Sequence, residues 1–195
     1  MKKIPTVFER DWDGDRSRVV NQVHPGCEWV LDGEGDATRK YDGTSCAVID
    51  GKLYKRFEAK NEQFARKPAP LGSIFVDCDA TTLKSIFWVP VGDGPEDKWH
   101  REAFTAGLPD GTYELLGPKA QGNAEQFLSH ILFPHRAAGI YHDAPRTFDG
   151  LREWFAGKDI EGLVFHHPDG RMAKIKQRDF GLKRGVTPEV ERLRS

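Results

Sequence analysis

Thr44-Ser45-Cys46-Ala47-Val48-Ile49, Asp50-Gly51, Lys52-Leu53-Tyr54-Lys55-Arg56-Phe57 is the stretch that decides the fold class. Two short runs with strand composition flank Asp-Gly, a dipeptide favoured in tight hairpins because both central positions of that turn take positive φ. A second hairpin follows the same logic, with Ile160 to His166 and Arg171 to Lys176 turning at Pro168-Asp169-Gly170. Cys27 to Leu31, Ser85 to Val91 and Gly111 to Leu116 read as further strands. Helices fall between them. Pro95 to Ala106 ends before Gly107, and Asn123 can cap a helix that Pro134 stops. Phe148, Leu151, Trp154 and Phe155 lie on one face of a helix that Thr147 caps and Gly157 closes. Thr187-Pro188-Glu189 opens a short C-terminal helix, with Pro at its first position. Hairpins mixed with scattered helices, without a βαβ rhythm, predict an α+β fold of antiparallel β-sheets with flanking helices.

Composition narrows the function classes. The 195 residues suit one domain of ordinary size or one domain plus a short appendage, and 38% hydrophobic residues with five Trp and twelve Phe can bury a core, which argues against wholesale disorder. A formal net charge of −1 argues against coating nucleic acid by bulk charge, while leaving room for a local basic stripe. Three widely spaced cysteines, Cys27, Cys46 and Cys78, form neither a disulfide framework nor a CxxC zinc knuckle and read as reduced, mostly buried thiols. No apolar run approaches the roughly 20 residues that cross a bilayer. Met1 to Pro5 lacks the apolar stretch of a signal peptide, so an intracellular, cytoplasmic protein without membrane contact is expected. Asp11 to Arg16 is polar and turn-like, a surface loop.

Four constellations carry chemistry. In Lys40-Tyr41-Asp42-Gly43, ahead of the first hairpin, a lysine can be a covalent nucleophile if its amine is kept unprotonated; at a free pKa of about 10.4 almost none is neutral at pH 7. Asp42 would point to the same side of an extended chain, and Gly43 lets backbone approach a ligand closely. A surface lysine before an Asp-Gly turn explains the same string. In Thr112-Tyr113-Glu114-Leu115-Leu116-Gly117 a carboxylate sits among apolar strand residues, either as an acceptor for a sugar hydroxyl or as a solvated strand-end Glu. In Ile160-Glu161-Gly162-Leu163-Val164-Phe165 a second Glu opens an apolar strand, either as a ligand to a hard cation through water or, again, as a solvated strand start. In Lys174-Ile175-Lys176 the period of two places both amines on one face, where they repel unless an anion lies between them; an exposed edge strand is the alternative.

Each piece is ambiguous, but their order is specific. Lys-x-Asp-Gly, Arg56 near a hairpin end, Tyr-Glu-Leu-Leu-Gly, Glu-Gly-Leu-Val-Phe and Lys-x-Lys in succession resemble the motifs of the covalent nucleotidyltransferase superfamily of DNA ligases, RNA ligases and mRNA capping enzymes. With Gly122-Asn123, His130-Ile131-Leu132-Phe133-Pro134-His135, Trp88-Val89-Pro90-Val91, Trp99-His100 and Gly181-Leu182, the chain from about Thr38 to Leu182 is similar to the vertebrate-type 5′-3′ RNA ligase family. That family has His at the position of Lys176, where the wider superfamily has Lys.

The resemblance implies a nucleotidyltransferase (ligase adenylation domain) fold in one domain, residues 1–195, with no appended OB-fold or helical domain. It implies that Lys40 attacks the α-phosphorus of ATP, that Asp42 helps position the lysine and the metal waters while Gly43 shapes the pocket, and that Arg56 contacts ribose or the incoming 5′-phosphate. Glu114 would bind the adenosine ribose, Glu161 a Mg²⁺ or Mn²⁺ ion through water, and Lys174 the α-phosphate, with Lys176 assisting. Phe133 is placed either on adenine or in the core. The partner implied is RNA with 5′-phosphate and 3′-hydroxyl ends, with no obligate protein partner, gripped through Lys55, Arg56, Lys60, Arg66 and Lys67 or, if that hairpin face is merely solvated, elsewhere. Rival readings are a DNA ligase, a GTP-using capping-type enzyme, or a non-catalytic nucleic-acid-binding module.

Overall fold

The computed structural model describes residues 2–60, 70–79 and 84–185. In chain order its strands and α-helices are β1 (Phe8–Arg10), β2 (Val19–Val23), α1 (Glu28–Leu31), β3 (Asp36–Lys40), β4 (Thr44–Ile49), β5 (Lys52–Lys60), β6 (Ile74–Asp79), β7 (Lys84–Pro90), α2 (Lys98–Ala103), β8 (Gly111–Leu116), β9 (Ile131–Pro134), α3 (Phe148–Phe155), β10 (Gly162–His166) and β11 (Met172–Lys176). The ladders between these strands are antiparallel, so the fold is α+β with antiparallel sheets, as composition and turn chemistry predict. The chain divides into two compact units, one within residues 42–137 and the other formed by residues 4–41 with the segment after 137.

The unit within 42–137 is a sheet in the order β6-β7-β5-β4-β8-β9. Its central hairpin turns at Asp50 and Gly51, with φ of 50° and 69°, and pairs Ile49 with Lys52. The Asp110 carboxylate accepts both turn N–H groups, at 3.0 and 3.3 Å. Because strand side chains alternate, Cys46, Val48, Leu53, Tyr113, Leu115 and Leu132 share one face and form a core with Ala103 of α2, Trp99 and Phe104. Ser45, Glu114 and Phe133 stand side by side on the opposite face, at one register across β4, β8 and β9.

The second unit is built on a sheet in the order β11-β10-β3 and on the β1–β2 ribbon. Leu151 and Phe155 of α3 pack with Leu163, Phe165 and Ile175, all at 0% exposure; each such side chain contributes about 1.5–3 kcal/mol on burial. The helix begins where Thr147 Oγ1 accepts the Gly150 N–H at 3.2 Å, the cap its sequence advertises.

Three expectations are corrected. The Cys27–Leu31 segment is not a strand: Glu28–Leu31 is helical, and the consecutive residues Trp29 and Val30 are both buried, which a two-sided strand would not allow unless both its faces were covered. Burial of this Trp-Val pair against the core overrides their β propensity. No helix runs from Asn123 to Pro134. Gln121, Gly122, Asn123 and Gln126 take positive φ, and Asn123 binds the Phe127 backbone through both side-chain atoms, closing a local loop ahead of β9. The Pro95–Ala106 helix is shorter, a 3₁₀ turn over Pro95–Asp97 followed by α2, because Phe104 is extended. The helix expected at Thr187-Pro188-Glu189 lies outside the described residues. Cys27 and Cys46 are buried and Cys78 is exposed, all with free thiols; burial pushes the Cys27 thiol up to about 11. Among the described residues no helix is long and apolar enough to cross a membrane.

Candidate functional site

Lys40 is the last residue of β3, Gly162 the first of β10 and Lys176 the last of β11. The register pairs Gly162 with Lys40 on one side and with Lys176 on the other. Directly opposed residues share a face, so both lysine side chains rise beside a position that has none. The other face of these strands carries Ala37, Leu163, Phe165, Ala173 and Ile175 into the core. Gly162 is demanded by close packing, since a Cβ there would lie 2.9 Å from Lys176 Cα and against the Ile175 carbonyl oxygen.

Glu161, one residue before β10, receives both amines. Lys40 Nζ donates to Glu161 Oε2 at 2.5 Å, and Lys176 Nζ donates to Oε1. Side-chain exposure is 20% for Lys40, 10% for Glu161 and 15% for Lys176, so this is a largely desolvated row of charges. Burial works to raise the Glu161 pKa. The two ammonium groups outweigh it, and the carboxyl stays below its ordinary value. The Glu161 carbonyl accepts the Gln177 N–H at 3.0 Å. The Lys176 N–H donates to Asp179 at 2.8 Å, and Arg10 pairs with the same buried Asp179 at 2.9 Å. Backbone on both sides of the row is thus tied down by groups outside it.

Lys174 lies on the same face, two register pairs further on, level with Val164 and Thr38. The structure therefore brings Lys40, Glu161 and Lys176 together, and it is Lys176 rather than Lys174 that meets the carboxylate. Asp42 does not continue the β3 strand, because the chain bends at Asp42 and Gly43 before β4 begins. An extended-chain alternation does not hold across that bend.

Within residues 42–137, Gly43 packs on β8. A Cβ at this position would lie 2.8 Å from Glu114 Cγ and 2.7 Å from Leu116 Cδ2, as well as against the Leu115 carbonyl oxygen. The Asp42 N–H donates to Glu125 at 3.0 Å. Glu114 is 8% exposed, which rules out a solvated strand end. Its Oε2 lies 2.8 Å from His135 Nε2, and His135 Nδ1 lies 3.0 Å from Thr112 Oγ1. Arg56 is bonded to Glu58 at 3.2 Å. Lys55 Nζ binds buried Asp97 at 2.5 Å; burial tends to raise the Asp97 pKa, but Lys55 and the Gly92 N–H hold it below the ordinary carboxylate value. Lys55 and Arg56 are accordingly engaged within the protein rather than freely solvated. Arg66 and Lys67 lie outside the described residues, as does the Lys60 side chain.

His135, Asp179 and Arg10 are the polar partners that sequence reasoning did not assign. The His-Ile-Leu-Phe-Pro-His run contained the signal for His135, but its use required recognising β9 as a strand pairing with β8.

Among the described residues no group of three or more His, Cys, Asp and Glu side chains is arranged to hold a metal ion. At the lysine row both Glu161 oxygens are bound by ammonium groups, so a cation held there would have to displace an amine.

No family model matches the chain. It is similar to three curated proteins called RNA ligase 1: that of Danio rerio, 32% identical over 87 residues, covering 40% of this chain and 26% of that protein; that of Pongo abelii, 31% over 99 residues, covering 45% and 30%; and that of Rattus norvegicus, 31% over 83 residues, covering 38% and 26%. The matched stretch thus spans under a third of the length of these relatives, and it supports a relationship to RNA ligases.

Proposed function

We propose that the chain is an ATP-dependent RNA ligase built on a nucleotidyltransferase fold, joining 5′-phosphate to 3′-hydroxyl RNA ends through a lysine–AMP intermediate. The observation that carries this reading is the convergence of Lys40, Glu161 and Lys176, residues from three separate motifs, on one face of one sheet. In the first step Lys40 Nζ, having lost its proton, forms a bond to the α-phosphorus while the bond to the pyrophosphate oxygen breaks. AMP then passes from the lysine to a 5′-phosphate, and the 3′-hydroxyl finally displaces AMP as the phosphodiester forms.

The chain's own residues account for several requirements of that chemistry. A triphosphate would offer Lys176 an anion in place of Glu161 and would meet the face that also carries Lys174, while Lys40 would leave its own bond to Glu161 to reach the α-phosphorus. The cationic row stabilises charge on the phosphate oxygens in a site that is already largely desolvated. Glu114 is a buried acceptor suited to a ribose hydroxyl, and Gly43 keeps its stem in place. A Mg²⁺ or Mn²⁺ ion held through water by Glu161 would supply charge neutralisation at the phosphates.

Incubation with α-labelled ATP and Mg²⁺ should add one AMP per chain, read by intact mass, and Lys40→Ala should abolish it. An adduct that survives Lys40→Ala refutes the assignment. GTP in place of ATP, and nicked DNA in place of RNA, separate this activity from the capping-type and DNA-ligase alternatives. RNA binding without nucleotide transfer would leave only a binding module.

A further inference from the structure

We propose that His135 is a positioning residue for Glu114, and that the carboxylate it holds acts with Ser45 as a paired site for the hydroxyls of a ribose. This rests on the nucleotide-binding part of the reading above and adds two residues to it. Glu114 Oε2 accepts from His135 Nε2 at 2.8 Å. An ionised carboxylate can only accept, so Nε2 carries the hydrogen. In the neutral ring Nδ1 is then an acceptor, and the Thr112 hydroxyl, 3.0 Å away, donates to it. The chain of bonds from Thr112 through the imidazole to Glu114 has one consistent direction, which fixes both the tautomer and the plane of the carboxylate. His135 follows directly on Pro134, the last residue of β9, whose register partner is Tyr113 of β8. The imidazole is therefore anchored by the same ladder that carries Glu114.

Ser45 supplies the second, independent observation. It is the direct register partner of Glu114 on β4, so both side chains stand on one face. Its Oγ is buried and has no hydrogen-bond partner among the described residues. A buried hydroxyl without a partner beside a carboxylate with one oxygen engaged is a polar pair completed by a ligand that brings its own hydroxyls. Gly43 packs against the Glu114 stem, and Phe133 is the register partner of Glu114 on β9. Neighbouring hydroxyls on a five-membered sugar match two adjacent groups on adjacent strands, where direct partners stand roughly 4.5–5.5 Å apart.

The test uses the full chain with Mg²⁺ and compares ATP, 2′-deoxyATP and 3′-deoxyATP in equilibrium binding and in single-turnover adenylylation. Wild type should bind ATP more tightly than at least one deoxy analogue. His135→Ala should weaken ATP binding about tenfold, leave the rate at saturating ATP within about threefold, and erase the preference over the deoxy analogue. His135→Gln, whose amide can reach where Nε2 stood, should restore most of the preference. Ser45→Ala should lose discrimination against one deoxy analogue selectively. A His135→Ala protein that keeps wild-type discrimination overturns the proposal, as does a His135→Gln protein no better than Ala despite an unchanged melting temperature. If wild type binds ATP with ribose discrimination but forms no adduct, the ligase reading falls while the His135 assignment stands.

Discussion

Replacing Glu161 by Gln keeps the shape of the side chain and removes its charge, making a permanent copy of the protonated form. The carboxylate accepts from two ammonium groups, one at 2.5 Å, with the three side chains 10–20% exposed. Hydrogen bonds to charged groups contribute about 1.5–3 kcal/mol each. Desolvation of the ions and partial solvent screening of both lysines offset much of that sum, which leaves about 2 kcal/mol in favour of wild type at pH 7. The folded pKa of Glu161 lies below its ordinary value. Its contribution is therefore fully present above the ordinary carboxylate pKa of about 4.3 and is lost as pH falls through the lowered folded value. Wild type and Glu161→Gln should differ at pH 7 and at pH 5, then converge in more acid solution. Urea unfolding followed by tryptophan fluorescence at pH 7, 5 and 3 measures the gap. A gap that is absent at pH 7, or that stays constant down to pH 3, would refute the charge-row account.

Gly43→Ala should cost about 1–3 kcal/mol in thermal unfolding, because the new methyl meets Leu116, Glu114 Cγ and a β8 carbonyl with no room to relax. Gly162→Ala should cost about 2–3 kcal/mol, since its clash is with the β11 backbone itself, and should also abolish AMP labelling by separating Lys40 from Lys176. Lys55→Met strands Asp97, whose side chain is 3% exposed, and should cost about 3 kcal/mol at pH 7. Burial would then raise the Asp97 pKa, so that loss should shrink as pH falls towards 4, which urea melts at several pH values will show.

The elements legible in the sequence are those whose signal is local. Asp50-Gly51 needs only its own two φ angles to make a hairpin, and Thr147 with Phe148, Leu151 and Phe155 specifies α3 without reference to the rest of the chain. The failures lie where distant groups decide. Glu28–Leu31 has strand composition but is wound into a helix by burial of Trp29 and Val30 side by side. β3 carries one buried apolar residue, Ala37, among polar ones, so it has no alternation to read; it becomes a strand because β10 pairs with it. The same limit governs the site. Motif order names Lys40, Glu161, Lys174 and Lys176, and a period of two places both β11 lysines on one face. Only the register of Lys176 against Gly162 selects which of them reaches Glu161. His135 was visible as a letter, but its partnership with Glu114 is a property of the β8–β9 ladder.

Lys40 and Glu161 stand 121 residues apart in the chain. At about 5–20 residues per second, a translating ribosome releases the lysine some 6–24 seconds before the glutamate that neutralises it. All ladders of the six-stranded sheet are encoded between Thr44 and Pro134, so that sheet can finish while synthesis continues. β3 must wait for its strand partner until β10 emerges, with backbone bonds to residues 139–141 to make in the meantime. A nascent chain halted short of Gly162 would therefore carry Glu114 on a completed sheet, yet lack the Glu161–Lys176 half of the charge row.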